Sequence, residues 1–325
     1  MIEKLPYPPK NKKGWPWTEE SASFAKKMPN GDPWPKITIV TPSFNQEKYL
    51  EATIRSVLLQ NYPNLEYIII DGGSTDNSVE IIRKYSKFVT FWISEKDNGH
   101  GHALNKGFSK STGEIMAWIN SDDMYHKNAF LKVANIFSQH NDINWITGKN
   151  SWWDKEDNQT NTKEVYKNKY NYLLGYFKWI QQESVFWRKS LWEKAGARIN
   201  ENYKLMVDGE LWCRFFLYDD LWHVDKLLSG YRTHGDNRAG KFMKDVIIEM
   251  KKAIREFKSH TDKKTLYNAK TLQKILIENN KSLLNKFYNL KEEIDYNILV
   301  AKNNSWIKKR KEFTLKSFHE IKNTL

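Results

Sequence analysis

Along residues 37–147 the apolar positions switch between two rhythms. Ile37–Val40, Tyr67–Ile70, Val89–Ile93, Ile115–Ile119 and Trp145–Thr147 are short apolar or β-branched runs, as expected of strands buried on both faces. Between them, Glu47–Gln60 carries Tyr49, Leu50, Ile54, Val57 and Leu58 at helical spacing, and Asn61-Tyr62-Pro63-Asn64 ends it. Ser78–Tyr85, Ala103–Ser109 and Asn128–Gln139 also read as helices. Strands spaced by helices in this way predict an α/β fold, a mostly parallel sheet covered on both faces.

On either side the pattern changes. Residues 1–36 are punctuated by Pro6, Pro8, Pro9, Pro16, Pro29, Pro33 and Pro35, with Trp15, Trp17 and Trp34 between them. Such a segment predicts an extended arm whose aromatic side chains pin it to the body. From Asn150 to Asn171 the chain turns polar and reads as a surface excursion, and Trp179–Trp192 and Asp208–Leu217 return to apolar patterning. After Tyr231-Arg232-Thr233-His234, the residues Val246, Met250, Ala253, Ile254 and Phe257 make one helical stripe. Leu272–Ile277 and Leu283–Ile294 suggest two more helices, with Lys and Arg on their other faces. The expected division is an arm at 1–36, an α/β domain at 37–237 and a basic helical region at 238–325.

Charge follows that division. The net charge of +13 separates into +3 for residues 1–36, −1 for 37–237 and +11 for 238–325. A nucleic-acid binder would place its positive charge beside its recognition elements, and here the motif-bearing middle is neutral. No nucleic-acid partner is therefore expected. The basic tail offers either a peripheral contact with an anionic membrane face or a packed helical cap and homodimer surface. Fourteen Trp, 16 Tyr and 16 Phe supply a large core. The single Cys213 excludes an intrachain disulfide framework and a multi-cysteine zinc site. No 18-residue apolar run occurs, and the first residues lack the apolar core of a signal peptide, so a cytoplasmic location is expected, peripheral at most to the inner face of the plasma membrane.

In an open α/β sheet, ligands gather at the C-terminal ends of strands. Four such ends carry polar chemistry here. Thr41-Pro42-Ser43-Phe44-Asn45 offers backbone carbonyls and an aromatic face to a flat base. Asp71 could accept an imide N–H from a uracil-like ring, and equally could begin an Asx turn in Asp71-Gly72-Gly73-Ser74. Asp97-Asn98-Gly99-His100-Gly101-His102 places glycines and polar groups ahead of a helix that contains Asn105. Asn120-Ser121-Asp122-Asp123 follows the apolar run at Ile115. Adjacent carboxylates suit a hard divalent cation, although the same residues also make a solvated turn or helix cap. The four together describe a nucleotide site.

The chain resembles a family 2 glycosyltransferase of the GT-A fold, of the bacterial surface-glycan type. The stretches that carry the likeness are TPSFNQEKYLEATIRSVLLQNYPNLEYIIIDGGSTDNS, SEKDNGHGHALNKGF, TGEIMAWINSDD, VDGELWCRF and YRTHGDN, in order from Ile37 to Asn237. The resemblance implies a GT-A domain followed by a C-terminal helical extension, and a donor nucleoside held by Pro42, Phe44, Asn45 and Asp71, with Asn105 and Asn120 also in the nucleotide set. It implies that Asp122 is the direct ligand of Mn²⁺ or Mg²⁺ on the donor diphosphate, with His234 completing the metal shell. Asn120 departs from the aspartate that many members carry, and Asp123 is the candidate that compensates. Asp208 falls at the position of the general base of inverting members; Glu210 competes for that role, and a capping function for Asp208 is compatible with it. Gln181, Gln182 and Glu183 fall where the family forms its acceptor edge.

The function implied is an inverting, metal-dependent transfer of a sugar, with a UDP-sugar as the expected donor. The acceptor would be a hydroxyl of a glycan or lipid-linked molecule, as in surface polysaccharide synthesis. Two other classes stand beside it. A sugar-1-phosphate nucleotidylyltransferase would want a basic, Gly-rich loop after the first strand, and here no basic residue occurs until Lys48. A non-catalytic nucleotide-sugar or nucleic-acid binding protein would not need the acidic set Asp71, Asp122, Asp123 and Asp208.

Overall fold

The central strand β1 (Ile37–Ser43) is buried over its whole length, and the remainder of the molecule is layered around it. The computed structural model describes residues 1–175, 179–278, 296–302 and 305–311. After β1 come α1 (Leu50–Leu58), β2 (Leu65–Asp71), α2 (Ser78–Tyr85), β3 (Phe91–Ser94), α3 (His100–Phe108) and β4 (Ile115–Trp118). Next are β5 (Met124–Tyr125), α4 (Ala129–Gln139), β6 (Trp145–Thr147), β7 (Asn150–Trp153), β8 (Gln159–Lys163) and α5 (Lys169–Leu173). They lead to β9 (Val185–Arg188), α6 (Lys189–Lys194), α7 (Val207–Phe215), β10 (Trp222–Val224) and β11 (Ser229–Arg232). The chain continues through α8 (Arg238–Lys241), α9 (Met243–His260), α10 (Lys263–Glu278), β12 (Tyr296–Lys302) and β13 (Ser305–Lys311).

Nine strands form one sheet in the order β13-β12-β10-β6-β9-β4-β1-β2-β3. β1 runs parallel to both β2 and β4, with Ser43 level with Asp71 at one end. β9 is antiparallel to β4 and β6, so the sheet is mixed rather than wholly parallel. A second sheet, β5-β11-β7-β8, stands beside the end of β4. The polar stretch after Asn150 thus supplies two strands of it. β8 is exposed at every position, and for that reason its side chains show no apolar period to read.

Helix α3 lies against β1 because Gly107 has no side chain. A Cβ there would stand 2.4 Å from Val40 Cγ1. The core around β4, β6, β9 and α7 is aromatic, with Trp118 stacked on Trp212 at 5.6 Å and edge-on to Trp187.

The arm is fastened by hydrogen bonds as well as by its rings. The buried Arg55 guanidinium of α1 donates to the carbonyls of Pro6, Pro16 and Trp17. Trp15 Nε1 donates to Tyr125 O, which ties the arm to β5.

Beyond residue 238 the region is not helical throughout, and it shares the core of the preceding domain. α9 and α10 occupy two of the expected helical stretches, with Val246, Met250, Ala253, Ile254 and Phe257 of α9 buried. The helix expected at Leu283–Ile294 lies outside the described residues. β12 and β13 form a hairpin that extends the main sheet, with β12 parallel to β10. Its outer strand reads Ser-Trp-Ile-Lys-Lys-Arg-Lys, and charge of that kind discourages further strand pairing at a sheet edge. A seven-residue basic strand is easily mistaken for one face of a lysine-rich helix. Among the described residues no helix is long and apolar enough to cross a membrane.

Candidate active site

The loops after β1 and β2 are laced together before any ligand is considered. The Asn45 amide N–H donates to Ser74 Oγ at 2.8 Å, and Asn45 Oδ1 accepts from Thr75 N at 2.9 Å. Asn45 sits at φ 53°, a left-handed conformation that asparagine tolerates. Phe44 is left 58% exposed at the tip, an aromatic face open to a planar group, while Pro42 is buried within β1. Asp71 is fully buried. Its carboxylate accepts from the amides of Gly73 and Ser74 and from the hydroxyls of Ser74 and Ser94. The Asx-turn reading of Asp71 therefore describes its present contacts.

At the end of β4, Asp122 and His234 meet. His234 Nε2 lies 3.1 Å from Asp122 Oδ2, and the imidazole packs on Tyr49 with ring centroids 4.6 Å apart. Asn120 bridges two elements. Its Oδ1 is 3.1 Å from His100 Nε2 at the start of α3, and its amide donates to Asp123 Oδ2 at 3.3 Å.

Four of the expected site residues are turned elsewhere. Asp123, expected as a metal ligand, is 1% exposed and accepts the Arg232 backbone N–H at 2.8 Å. Asn120–Asp123 close a hydrogen-bonded turn, with Asp123 N donating to Asn120 O at 3.1 Å, and the carboxylate beside Asp122 points into the protein. Burial, reinforced by Asp122 and Glu183, holds the Asp123 carboxyl well above the usual carboxylate range. Asn105, expected at the nucleotide, instead clamps the chain after α6. It donates to Ile199 O and Glu201 Oε1, and its Oδ1 accepts from Ile199 N. Gln181 and Gln182, expected at the acceptor, are buried and bonded to backbone. Gln181 joins both the N–H and the carbonyl of Ser151, and Gln182 donates to Trp118 O at 2.7 Å.

Glu183 is 2% exposed, and its Oε1 makes no hydrogen bond among the described residues. Burial pushes its carboxyl up to about 8; the negative charges of Asp208 and Asp122 add to the effect and Lys167 opposes it. One buried carboxyl therefore senses both the Asp122 loop and the Asp208 helix. Asp208 is the second residue of α7 and half-buried. Its carboxyl is raised to about 6, chiefly by burial and further by Glu249, against the amides at the helix start. Glu210 is taken up elsewhere, in a two-pronged pair with Arg214 one turn along α7. That leaves Asp208 as the carboxyl of this segment that is not held in an ion pair.

Arg232 had no assigned role in the sequence, though it stands in the Tyr-Arg-x-His stretch beside His234. Its guanidinium is fully buried, and Nε donates to Asp122 O at 2.6 Å. The other carbonyls of this turn are gripped as well. Thr53 Oγ1 donates to Asp123 O at 2.7 Å, and Ser229 Oγ donates to Met124 O at 2.8 Å. The turn bearing Asp122 is thus held in place by its backbone, which leaves the side chain for a ligand.

A divalent ion on a donor diphosphate would find one carboxylate, which suits Mn²⁺ or Mg²⁺, and one imidazole, a ligand more typical of softer transition ions. Among the described residues no group of three or more His, Cys, Asp or Glu forms a cage, so phosphate oxygens and water would have to complete it.

A mixed α/β sheet with polar loops converging on its strand ends defines a nucleotide-binding type of architecture. The model of glycosyl transferase family 2 matches residues 38–222, more than half the chain, and the protein belongs to that family. An uncharacterised glycosyltransferase of Nostoc sp. is 26% identical over 219 residues, 62% of this chain and 66% of that protein. A Bacillus subtilis glycosyltransferase provisionally assigned to teichuronic acid biosynthesis, TuaG, is 35% identical over 117 residues, 35% of this chain and 46% of its own length. The chain thus spans from about half to two thirds of these relatives. Among solved structures, residues 1–349 of Staphylococcus aureus TarS in complex with UDP-GlcNAc superpose with a TM-score of 0.53 at 16% identity, covering 69% of this chain and 72% of that one. That likeness is one of fold.

Proposed function

We propose that this protein is an inverting glycosyltransferase that moves a sugar from a UDP-sugar to a hydroxyl of a glycan or lipid-linked acceptor. The observation that carries the reading is the Asp122–His234 pair at the end of β4 together with Asp208 at the start of α7, both carboxylates lying close enough to buried Glu183 to raise its carboxyl. The Asp208 carboxyl, raised to about 6, is ionised at neutral pH and still basic enough to take a proton from an attacking hydroxyl. The TarS complex with UDP and the family membership support a nucleotide-sugar donor.

In this reading Phe44 covers the base and the laced loops of Asn45 and Asp71 hold the nucleoside. Asp122 and His234 would hold a divalent ion, Mn²⁺ or Mg²⁺, which when bound would stabilise negative charge on the leaving phosphate. Asp208 removes the acceptor proton as the acceptor oxygen attacks the anomeric carbon from the side opposite the diphosphate. Glu183, whose carboxyl burial and the charges of Asp208 and Asp122 push towards the neutral form, limits the negative charge beside the site. The TuaG relative supports a role in surface polysaccharide synthesis. The basic residues beyond 238 would favour an acceptor held at an anionic membrane face.

The test is a panel of UDP-, GDP-, dTDP- and CMP-sugars incubated with Mn²⁺, following release of the nucleotide and the anomeric configuration of the product. Release of UDP with inversion, lost in Asp208→Asn, is expected. Retention of configuration, or an active Asp208→Asn variant, would overturn it.

A further inference from the structure

The arm at residues 1–36 lies outside the family match, yet it reaches the donor site through one buried ion pair. Lys12 Nζ and Trp17 Nε1 both donate to Asp157 Oδ2, at 2.5 and 2.9 Å. The other oxygen of Asp157 accepts from Arg232 Nη1 at 2.7 Å. Arg232 in turn grips Asp122 O through Nε, and its backbone N–H holds Asp123 Oδ1. The guanidinium also lies over the Tyr49 ring at 5.0 Å, and that ring packs on His234 at 4.6 Å. Both residues of the Asp122–His234 pair therefore rest on Arg232, and Arg232 rests on Asp157.

The energetics make this chain of contacts exacting. The Arg232 side chain is 0% exposed and that of Asp157 is 6% exposed, so each buried charge depends on the other. Asp157 stands at φ 77° in the β7–β8 turn, a conformation that Asp and Asn tolerate better than most residues. The turn is braced by Asp154, whose Oδ1 accepts from the amides of Glu156 and Asn158. The carboxylate is thus presented in a fixed position between the arm and the guanidinium.

We propose that Asp157 is a positioning residue for the donor site and that the N-terminal arm, through Lys12 and Trp17, is a working part of that site. The proposal rests on the reading of Asp122 and His234 as holders of the donor diphosphate. Partners that orient metal-holding residues from behind are worth on the order of 10–100-fold in affinity.

The experiment compares full-length wild type, Asp157→Asn and the double variant Lys12→Met/Trp17→Phe. Asparagine keeps the shape and the backbone conformation and removes the charge; the double variant leaves the buried pair intact and removes only the arm's grip. The first readout is the dissociation constant of UDP in the presence of Mn²⁺, by calorimetry. It is expected to rise by about 10-fold or more in Asp157→Asn and by less in the double variant. The second readout needs no nucleotide. The ring ¹⁵N signals of His234, assigned by their loss in His234→Gln, are expected to move in both variants. Unmoved His234 signals, or unchanged UDP affinity in a folded Asp157→Asn protein, overturn the proposal. Absence of Mn²⁺-dependent UDP binding in the wild type, with His234 signals that do move, would overturn the donor-site reading and leave the relay standing.

Discussion

Asp122 and His234 lie 112 positions apart in the chain, and their side chains meet at 3.1 Å at the end of β4. The contact is made by two elements that reach it independently, the turn after β4 and the turn after β11. Because Arg232 grips the Asp122 carbonyl rather than its carboxylate, Asp122→Asn should keep the fold and lose the function of the side chain. We expect Asp122→Asn to weaken UDP binding in Mn²⁺ by about 10–100-fold, and His234→Ala to do so more mildly. Thermal-shift titration with UDP reads this directly, because a ligand that binds only the folded state raises the midpoint with occupancy. Equal shifts in wild type and Asp122→Asn would remove Asp122 from the site.

Asp208 links activity to pH in a definite direction. As the base it works ionised, so kcat/KM should rise with pH through about 6 and level off above it. For stability the sign is opposite. The folded-state value lies above that of the unfolded chain, so ionisation costs the folded state stability that is fully lost above about 6. Asp208→Asn should therefore be inactive and, at pH 8, more stable by roughly 1–2 kcal/mol, the figure being reduced for partial exposure. Urea unfolding of the two proteins at pH 8 and pH 4 tests the second part. A variant that is less stable at pH 8 would refute the placement of this carboxyl.

His223 titrates the other way. Its Nε2 accepts the Lys167 N–H at 2.9 Å and its Nδ1 faces Asn297 O of β12 at 3.3 Å, so the ring is buried and neutral. Burial, with Lys167 nearby, lowers it to about 3. The unfolded chain takes up this proton near pH 6.5 and the folded chain does not, so stability is lost as pH falls below 6.5 towards 3. Between pH 7 and pH 5 the single ring should contribute a loss of about 2 kcal/mol, absent in His223→Gln. The quantity to compare is the pH slope of the two proteins, since the raised carboxyls of Asp123, Glu183 and Asp208 titrate in the opposite sense. Identical slopes would show that the ring is reached by water.

Gly107 tests the seating of α3 on β1. A methyl group there meets both Cγ atoms of Val40, a stiff β-branched side chain in a buried strand. Gly107→Ala should cost about 1–3 kcal/mol through overpacking, more than the gain from a better helix former. A midpoint at or above that of wild type in urea would show that α3 can slide.

Much of this molecule was legible one residue at a time. Apolar runs marked β1, β2, β4 and β6, because a strand buried on both faces must be continuously apolar whatever it packs against, and the half-exposed edge strand β3 still carried Phe91, Trp92 and Ile93 in a row. The edge on which the chemistry collects followed from the alternation of strands and helices, since loops after parallel strands emerge on one side. Asp122 stood out by its place at a strand end, and the family resemblance singled out His234 and Asp208. Their neighbours Asp123, Asn105, Gln181 and Gln182 had equally suitable chemistry, and only the tertiary structure shows where each side chain points. An asparagine that clamps Ile199 and one that meets a ribose look alike in one dimension. The strand β8 escaped because it is exposed at every position, and the hairpin β12–β13 because its short apolar run, Ile298–Ala301, sits in a stretch whose lysines and arginines suggested helix. The pairing of Asp157 with Arg232 and Lys12 escaped as well. Charge and burial at a site depend on what else folds against it, and a linear pattern carries no record of that.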